Sequence, residues 1–387
     1  MLAFIFRRLL IAIPMIFIAS ILVFLLAANA GDPLEDLRGR PNSQVAMAAR
    51  KQQLNLDKTV PERYVIWMKG AIHGNFGKDS GGREIWPQVS NAILLTLRLV
   101  LIATLLSVVL GVGVGVISAV RQYSGFDYFS TFMAFLFFAM PVFWFAILLR
   151  EFAAIELNNW LQNPSFSTVF SVVMGLLFGL VGWFVAGGEN VKLKRKAIFA
   201  AGGLVVGFVF MLGVSSWVDG KSYPKFLKIA GSSTTNIKGP FFFDRLGDYV
   251  KYMVLPTVTL AVISFAVYSR FQRASMLETL SSDYVRTARS KGISHRRVIF
   301  RHAFRTALIP VATQIALDFG AVIGGAIITE NIFAWKGMGS LLRNSIIKDI
   351  DPNMAMAVLI VTAISIVIFN IIADIAYAYL DPRIRVA

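Results

Sequence analysis

The side chains best suited to bind a charged partner are concentrated in one polar stretch, residues 283–310, which reads DYVRTARSKGISHRRVIFRHAFRTALIP. Its arginines, lysine and histidines can pair with acidic groups, and charge-assisted hydrogen bonds are among the strong ones. No recognisable nucleic-acid-binding module accompanies the charge, so we expect no nucleic-acid partner. The stretch therefore predicts an element to which a cytoplasmic partner binds.

Other chemistry is missing from the sequence. There is no cysteine, and the three histidines His73, His295 and His302 do not form a cluster with metal-ligand spacing. No G-x-x-x-x-G-K-[ST] phosphate loop occurs, so we do not expect the chain to hydrolyse nucleotide. The sequence predicts neither a metal site nor a cofactor, and no catalytic residue.

Two helices should position the basic stretch. Ser282 or Asp283 can cap the first helix, which has no breaking residue before Lys291. Gly292 then suits the position after the helix end, because glycine adopts the left-handed conformation without steric cost. A second helix is expected from after Ser294 to about residue 307, and Pro310 should limit its continuation. The prediction is a helix, a glycine elbow and a second helix between two membrane spans.

Lipid is the main solvent predicted for the rest of the chain. Charged residues make up only 16% of the sequence and hydrophobic residues 56%, whereas soluble domains carry about 25% charged residues. About 20 apolar residues cross a bilayer. Eight such spans are predicted, at about residues 9–29, 92–120, 128–150, 167–187, 197–216, 249–270, 309–329 and 354–378.

The orientation of these spans follows from the positive-inside rule. Arg7 and Arg8 precede the first span and place the N-terminus in the cytoplasm. The short loop between the fourth and fifth spans is also basic, and counting spans from the N-terminus puts it on the same side; it contains Lys192, Lys194, Arg195 and Lys196. Both termini and the stretch 283–310 are therefore expected to be cytoplasmic, and this topology accounts for much of the net charge of +16.

The first apolar segment has a competing interpretation as a signal peptide. Ala28-Asn29-Ala30 resembles a signal-peptidase site. A signal peptide has an apolar region of about 7–15 residues, and this segment is longer. We expect it to be retained as the first span.

Small and acidic residues within the spans suggest further roles. Gly111, Gly113 and Gly115 would let a neighbouring helix approach the second span closely, and Pro141 should kink the third.

Acids at membrane depth are functional candidates because their desolvation is costly. We consider Asp318 a candidate contact for a transported solute, the alternative being an interhelical hydrogen bond, and we expect a structural role for Asp374. Without a motor or an ion relay of its own, the chain should take energy from a partner.

With these features in place, the basic stretch closely resembles the EAA loop of the permease subunits of binding-protein-dependent ABC importers, and in particular the first permease of the dipeptide/oligopeptide subfamily. The resemblance covers roughly residues 1–150 and 245–387. The matching segments are Asp283 to Gly292, His302, Arg305, Leu308-Ile309-Pro310, the N-terminus MLAFIFRRLLIAIP, Gly31-Asp32-Pro33, the LDK of residues 56–58, Gly74 to Gly77, Val254-Leu255-Pro256, Arg273 to Glu278, Glu330 with Phe333, and Leu380 to Arg385.

The resemblance implies an all-α membrane protein with the type I ABC importer permease fold, in the inner (plasma) membrane of a prokaryote. Its expected partners are a homologous second permease, two ATP-binding cassette ATPases, an extracytoplasmic solute-binding protein and membrane lipid. The expected segments are 1–30, the first transmembrane helix; 31–92, an extracytoplasmic loop; 93–150, core spans two and three; 151–245, an insertion with two additional spans; and 246–387, the core permease with a cytoplasmic coupling loop at 276–308.

In this family the loop forms a coupling helix that docks on the ATPase, so the resemblance implies that role for the matching residues. Tyr284, Ala288 and Lys291 have the spacing of one helical face; Ala288 would permit close approach and Tyr284 would supply an aromatic anchor. The implied ATPase-coupling residues are Asp283, Tyr284, Arg286, Thr287, Ala288, Arg289, Lys291, Gly292 and Pro310.

The sequence departs from the family pattern in two places. The family usually has six spans, so the region of about 152–240 resembles an insertion that brings the total to eight. Where the family usually has Trp-Pro-Gly, this chain has Trp335-Lys336-Gly337. Lysine does not fix the backbone as proline would, so a less rigid outer gate element is expected.

Two alternatives to a peptide importer stay open at this point. Related permeases serve nickel or other small solutes, and a binding protein could provide that selectivity. A stand-alone channel or secondary carrier would use the basic stretch only to fix topology, and would give flux without any ATPase subunit.

Overall fold

The computed structural model describes residues 2–29, 31–38, 43–185, 193–218, 227–228, 230–231, 242–348 and 350–380. Helices dominate this part of the chain, and its one β-type contact is an isolated antiparallel bridge between Lys78 and Glu84. The first helices are α1 (Leu2–Asn29), α2 (Ser43–Gln53), α3 (Val60–Ile72), α4 (Ile85–Val120), α5 (Gly125–Ala139) and α6 (Val142–Leu148).

The later helices are α7 (Leu157–Gln162), α8 (Thr168–Val185), α9 (Leu193–Val218), α10 (Phe242–Leu280), α11 (Asp283–Ser290), α12 (His295–Arg297), α13 (Phe304–Ile332), α14 (Met338–Arg343) and α15 (Pro352–Leu380). A 3₁₀ turn occurs at Glu35–Leu37. Helical segments with π geometry occur at Leu149–Glu156, Val298–Ala303 and Asn344–Lys348.

Each of the eight predicted spans falls on helical segments. Within the described residues, five helices are long and apolar enough to cross a membrane, and α5 with the helical segment after it would make a sixth. The five are α1, α4, α9, α10 and α15. The all-α membrane fold is confirmed, whereas the count of eight spans and the cytoplasmic termini stay predictions.

The chain forms two compact units. One comprises Met1–Ile147 and Ala230–Ala387, and the other comprises Leu148–Ile229. In the smaller unit α8 packs along α9, and glycines make the close contact: a Cβ at Gly203 would lie 2.4 Å from the carbonyl oxygen of Phe178. The predicted segment boundaries, including the insertion at 151–245, stay a prediction.

In the larger unit α4 and α10 form the central helix pair. A Cβ at Gly111 would lie 2.8 Å from the Cβ of Tyr268, and one at Gly115 would lie 2.7 Å from the carbonyl oxygen of Ser269. The backbones meet closely at these two glycines, which is the packing expected from small residues in a membrane helix. Gly113, in contrast, has no such neighbour within 4 Å.

The two prolines expected to modify helices have different outcomes: the helices on either side of Pro141 are bent by 108°, whereas Pro310 does not end its helix. At Pro141 the helix is interrupted, because α5 ends at Ala139 and Met140 is extended; the residue before a proline disfavours the helical conformation. The expected stop at Pro310 is wrong, since α13 runs through it. Proline removes one backbone donor, and the packing of α13 on α10 and α15 supports the helix around that position.

The polar segment between α3 and α4 is tied down by Asp79, whose side chain is buried. Its Oδ1 accepts the backbone N–H of Gly81 at 2.9 Å and of Arg83 at 2.8 Å, and its Oδ2 accepts from Arg83 Nε and Gln88 Nε2, both at 2.9 Å. The backbone N–H of Ser80 donates to the carboxylate of Asp351, next to α15. The segment is thereby joined to the start of two long helices.

Candidate functional site

The predicted glycine elbow is present. Helix α11 ends at Ser290 with Lys291 as its C-cap, and Gly292 follows with φ +73°. The Gly292 N–H donates to the carbonyl of Arg289 at 3.0 Å, and the Ile293 N–H donates to that of Ala288 at 3.4 Å. This pair of bonds defines a Schellman motif, which fixes the angle at which the chain leaves the helix.

The N-terminus of α11 is at the predicted place, with Ser282 in the capping position. Its hydroxyl does not cap the helix but donates to the carbonyl of Thr279 at 2.6 Å. Asp283 lies in the first turn, where a negative charge favours the helix dipole.

The inner face of α11 is formed by Val285 and Ala288, which are both buried. They belong to a hydrophobic cluster supplied by α4, α10, the segment Val298–Ala303 and α13; its other buried members are Val112, Val116, Ala119, Met276, Val298, Ile299, Ala303, Ala307 and Val311. The cluster connects the short helix to three long ones. A displacement of α11 must therefore move the ends of these helices or break up the cluster.

The expectation that Tyr284, Ala288 and Lys291 share one docking face is wrong for Ala288. Its side chain packs into this chain's own cluster, whereas Tyr284 is 45% exposed and Lys291 is exposed. In so short a helix the apolar stripe is the pair Val285 and Ala288, three residues apart. The small size of Ala288 permits a close approach between helices of the same chain.

The outer face of the elbow is exposed and mostly cationic. Its only described ion pair joins Arg286 Nη1 to Asp283 Oδ1 at 3.7 Å, and both side chains are largely in solvent, so it adds little stability. Among the predicted coupling residues, those with exposed side chains or backbone are Asp283, Tyr284, Arg286, Thr287, Arg289, Lys291, Gly292 and Pro310. The basic surface continues along the second arm of the elbow through Arg296, Arg297, Arg301 and Arg305.

A buried ion pair reinforces the helices behind the elbow. Arg273 on α10 donates to Asp127 at the start of α5, through Nε to Oδ1 at 2.7 Å and Nη2 to Oδ2 at 2.9 Å. Asp127 also accepts from the Ser118 hydroxyl and from the Tyr123 N–H. The clamp joins α10 to the turn between α4 and α5, and no role for Asp127 was predicted from the sequence.

The opposite end of α13 is also held firmly. Glu330 is buried; its Oε1 accepts from the Thr96 hydroxyl at 2.5 Å, and its Oε2 accepts the Gly339 N–H at 2.7 Å. Trp335 is fully buried, and its indole N–H donates to the Leu95 carbonyl at 3.3 Å. These contacts hold the segment around Lys336 in place without a proline, and a less rigid outer gate element stays a prediction.

The side chains of two acids singled out from the sequence lie outside the described part of the structure. These are Asp318 on α13 and Asp374 on α15. Among the described residues, no group of three or more His, Cys, Asp or Glu side chains could hold a metal ion. The arrangement described is mechanical: a cationic surface outside, an apolar anchor inside, and a fixed bend between them.

Two family models match the chain at its two ends. Residues 198–386 match the model described as binding-protein-dependent transport system inner membrane component. Residues 1–87 match the model for the N-terminal part of binding-protein-dependent transport system membrane components. The elbow lies within the first of these matches.

Curated relatives match over their full length. The dipeptide transport system permease protein of Alkalihalophilus pseudofirmus is 32% identical over 391 residues, with 100% of each chain covered. The oligopeptide transport system permease protein of Mycobacterium bovis is 30% identical over 383 residues, with 98% of each covered. The dipeptide transport system permease protein of Escherichia coli is 30% identical over 388 residues, covering 100% of this chain and 99% of the relative.

Proposed function

The chain belongs to the family of binding-protein-dependent transport system inner membrane components, and from that premise we propose that it is a permease subunit of an ATP-driven importer of dipeptides or oligopeptides. The observation that carries the choice of cargo is the full-length similarity to permeases named for dipeptide and oligopeptide transport. It is an inner-membrane transport protein, and hydrolysis of ATP belongs to a separate subunit.

In this proposal α11 is the coupling helix. Its exposed cationic face, with Arg286 and Arg289, binds acidic groups of an ATPase subunit. Its buried face, Val285 and Ala288, is attached to the ends of α4, α10 and α13. The Schellman bend at Gly292 keeps the two arms of the elbow at one angle, so movement of the ATPase is passed on as a rigid displacement.

The proposed assembly pairs this chain with a homologous second permease. Two ATPase chains lie beneath them in the cytoplasm, and a solute-binding protein delivers peptide from outside. ATP-driven closure of the ATPases pushes on the elbow and opens the pathway outward to receive peptide, and the pathway then opens inward to release it. The ATPase can shift the equilibrium between the outward-open and inward-open states only if its contacts with the elbow differ in energy between them. Those contacts are therefore the ones that drive transport.

The test is reconstitution of the assembled importer in liposomes, with the binding protein on the extracytoplasmic face of the importer. We expect ATP-dependent uptake of labelled di- or oligopeptides, and no uptake when the ATPase subunits are omitted. Nickel uptake without peptide uptake would favour the small-solute alternative, and flux without ATPase subunits would favour a channel or carrier. The three relatives described above are named for peptide transport and support neither of these alternatives.

A further inference from the structure

A cavity of about 180 Å³ lies on the side of the molecule predicted to be extracytoplasmic, away from the elbow. It is a half-open cleft lined by α1, the end of α2, α3, the residues after α3 and the first turn of α15; its walls include Phe24, Arg63, Trp67, Phe76 and Asn353. The volume is far above the roughly 10–15 Å³ that admits one water molecule. A space of this size, with walls that are part polar and part apolar, can hold a small polar group.

Two hydrogen-bond donors in the wall of this cavity have no partner. The Nε of Arg63 and the indole Nε1 of Trp67 are both buried and make no hydrogen bond. The residues are four apart on α3, so they lie on the same face of the helix. A buried donor left unpaired costs free energy, and two such donors belong to residues that line this one cavity.

The charge of Arg63 is also uncompensated within the part of the chain that the structure describes. Its guanidinium carbon lies 6.0 Å from the centre of the Phe24 ring, a cation–π contact, and none of the described ion pairs includes it. Burial lowers the pKa of Arg63, in keeping with an incompletely compensated cation. An anionic acceptor satisfies both its charge and its free N–H.

The cavity lies where lipid headgroups are expected. Phe24 is five residues, or about 8 Å, before the end of the first membrane-capable helix at Asn29. Within the described residues that helix packs mainly on α15 and α3, and its remaining surface exposes Phe17, Leu22 and Leu26 as a lipid-facing side would. Trp67, Phe24 and Phe76 form an aromatic row, with ring centres 6.4 and 6.2 Å apart, of the kind found at membrane interfaces.

We propose that this cavity is a binding site for a phosphate group, presented by the headgroup of an anionic membrane phospholipid. Arg63 and Trp67 donate hydrogen bonds to the phosphate oxygens, and Asn353 provides a further polar group in the same wall. Such a lipid fixes the outer end of α1 to α3 and α15. The site is separate from the peptide-import function and does not depend on it.

The test uses native mass spectrometry of the assembled, delipidated importer titrated with short-chain phosphatidylglycerol. Four versions of the chain are compared: wild type, Arg63→Gln, Trp67→Phe and the control Lys69→Gln. Lys69→Gln removes one positive charge, as Arg63→Gln does. Lys69 is exposed on the same helix and does not line the cavity, so its variant controls for the change in charge alone. Trp67→Phe removes the N–H donor while retaining an aromatic ring against Phe24 and Phe76.

We expect wild type and Lys69→Gln to bind one phosphatidylglycerol equally well. Arg63→Gln should bind it about tenfold more weakly, because a hydrogen bond to a charged group is lost, and Trp67→Phe should show a smaller loss. Competition by inorganic phosphate at the same residues would support the phosphate site and assign it to free phosphate. Equal lipid binding by all four versions would overturn the proposal, as would Arg63-dependent binding of a peptide carboxylate in place of phosphatidylglycerol.

Discussion

Arg273 and Asp127, 146 residues apart in the sequence, form a two-pronged ion pair that joins α10 to the start of α5. The Asp127 side chain is 3% exposed and that of Arg273 28% exposed. The pair lies behind the elbow, on the helix that leads directly into α11. It therefore resists any separation of α10 from the α4–α5 turn when α11 is pushed.

Removing either partner should destabilise the permease. Asp127→Asn or Arg273→Gln leaves a buried or half-buried group unpaired, which costs about 2–4 kcal/mol. The measurement is thermal unfolding of each variant in detergent and of the double variant. Because the partners act on each other, the double variant should lose clearly less than the sum of the two single losses. Strictly additive losses would show that the pair is not energetically coupled.

The glycines of α4 offer a matched pair of substitutions. Gly115→Ala should destabilise the helix pair by about 1–3 kcal/mol, because the new Cβ meets the Ser269 carbonyl oxygen at 2.7 Å. Gly113→Ala should be neutral or slightly stabilising, since its Cβ meets nothing within 4 Å and alanine favours a helix. Unfolding temperatures of the two variants test this, and equal destabilisation by both would contradict the close approach at Gly115.

Local features of the elbow could be predicted from the sequence. A run without breakers followed by Gly292 was sufficient to place α11 and its end, because capping and glycine preferences act within a few residues. The course of the chain at Pro310 could not be predicted in this way, since packing on neighbouring helices decides whether one lost hydrogen bond ends a helix. The inward position of Ala288 likewise depends on the cluster beneath it.

Contacts distant in sequence were beyond prediction from one sequence. Asp127 was visible as a lone acid in the turn RQYSGFDY, and Arg273 as a base in an apolar helix, but nothing local indicated that they pair. Glu330 and Thr96 are separated by 234 residues in the same way. The spacing of Arg63 and Trp67 shows from the sequence that they share one face of a helix. That their N–H groups lack hydrogen-bond acceptors is visible only in the folded structure.

The turn around Asp79 should lose stability in acid. Burial alone would raise the pKa of Asp79, but hydrogen bonds from Gln88 and Arg83, with the charge of Arg83, outweigh it and hold the pKa below its ordinary value of 3.8. A carboxylate with a lowered folded-state pKa contributes stability above the unfolded-state pKa, and this contribution is lost as the pH falls through the folded-state pKa.

Limited proteolysis of the segment between α3 and α4, from about pH 6 down to about pH 3, tests this behaviour. Asp79→Asn should be cleaved faster at neutral pH, because two donors lose their acceptor at a cost of about 1–3 kcal/mol. The difference between variant and wild type should shrink in acid. Asp351, whose pKa is raised first by burial and also by the charge of Asp79, changes stability in the opposite direction, so wild type and Asp79→Asn are both compared in an Asp351→Asn background. A difference that grows as the pH falls would contradict the prediction.

Gly292 provides a test of the bend itself. Nothing lies within 4 Å of a Cβ at this position, so a substitution acts through the backbone conformation at φ +73°. Gly292→Val should abolish transport while membrane insertion stays intact, because a β-branched residue penalises this conformation by roughly 1–2 kcal/mol or more. Gly292→Asn should retain much of the transport, since asparagine tolerates the left-handed region. Normal peptide uptake by the valine variant would show that the fixed angle is not needed.

The central claim is that α11 touches the ATPase, and cysteine cross-linking tests it most directly. The natural chain contains no cysteine, so Thr287→Cys introduces a single thiol on the exposed face of α11. With a short bifunctional reagent that links this thiol to lysines of a neighbouring chain, the assembled importer should give a covalent permease–ATPase product, and the control Lys69→Cys on α3 should give none. A Thr287→Cys complex that retains its ATPase subunits but yields no such product would contradict the account.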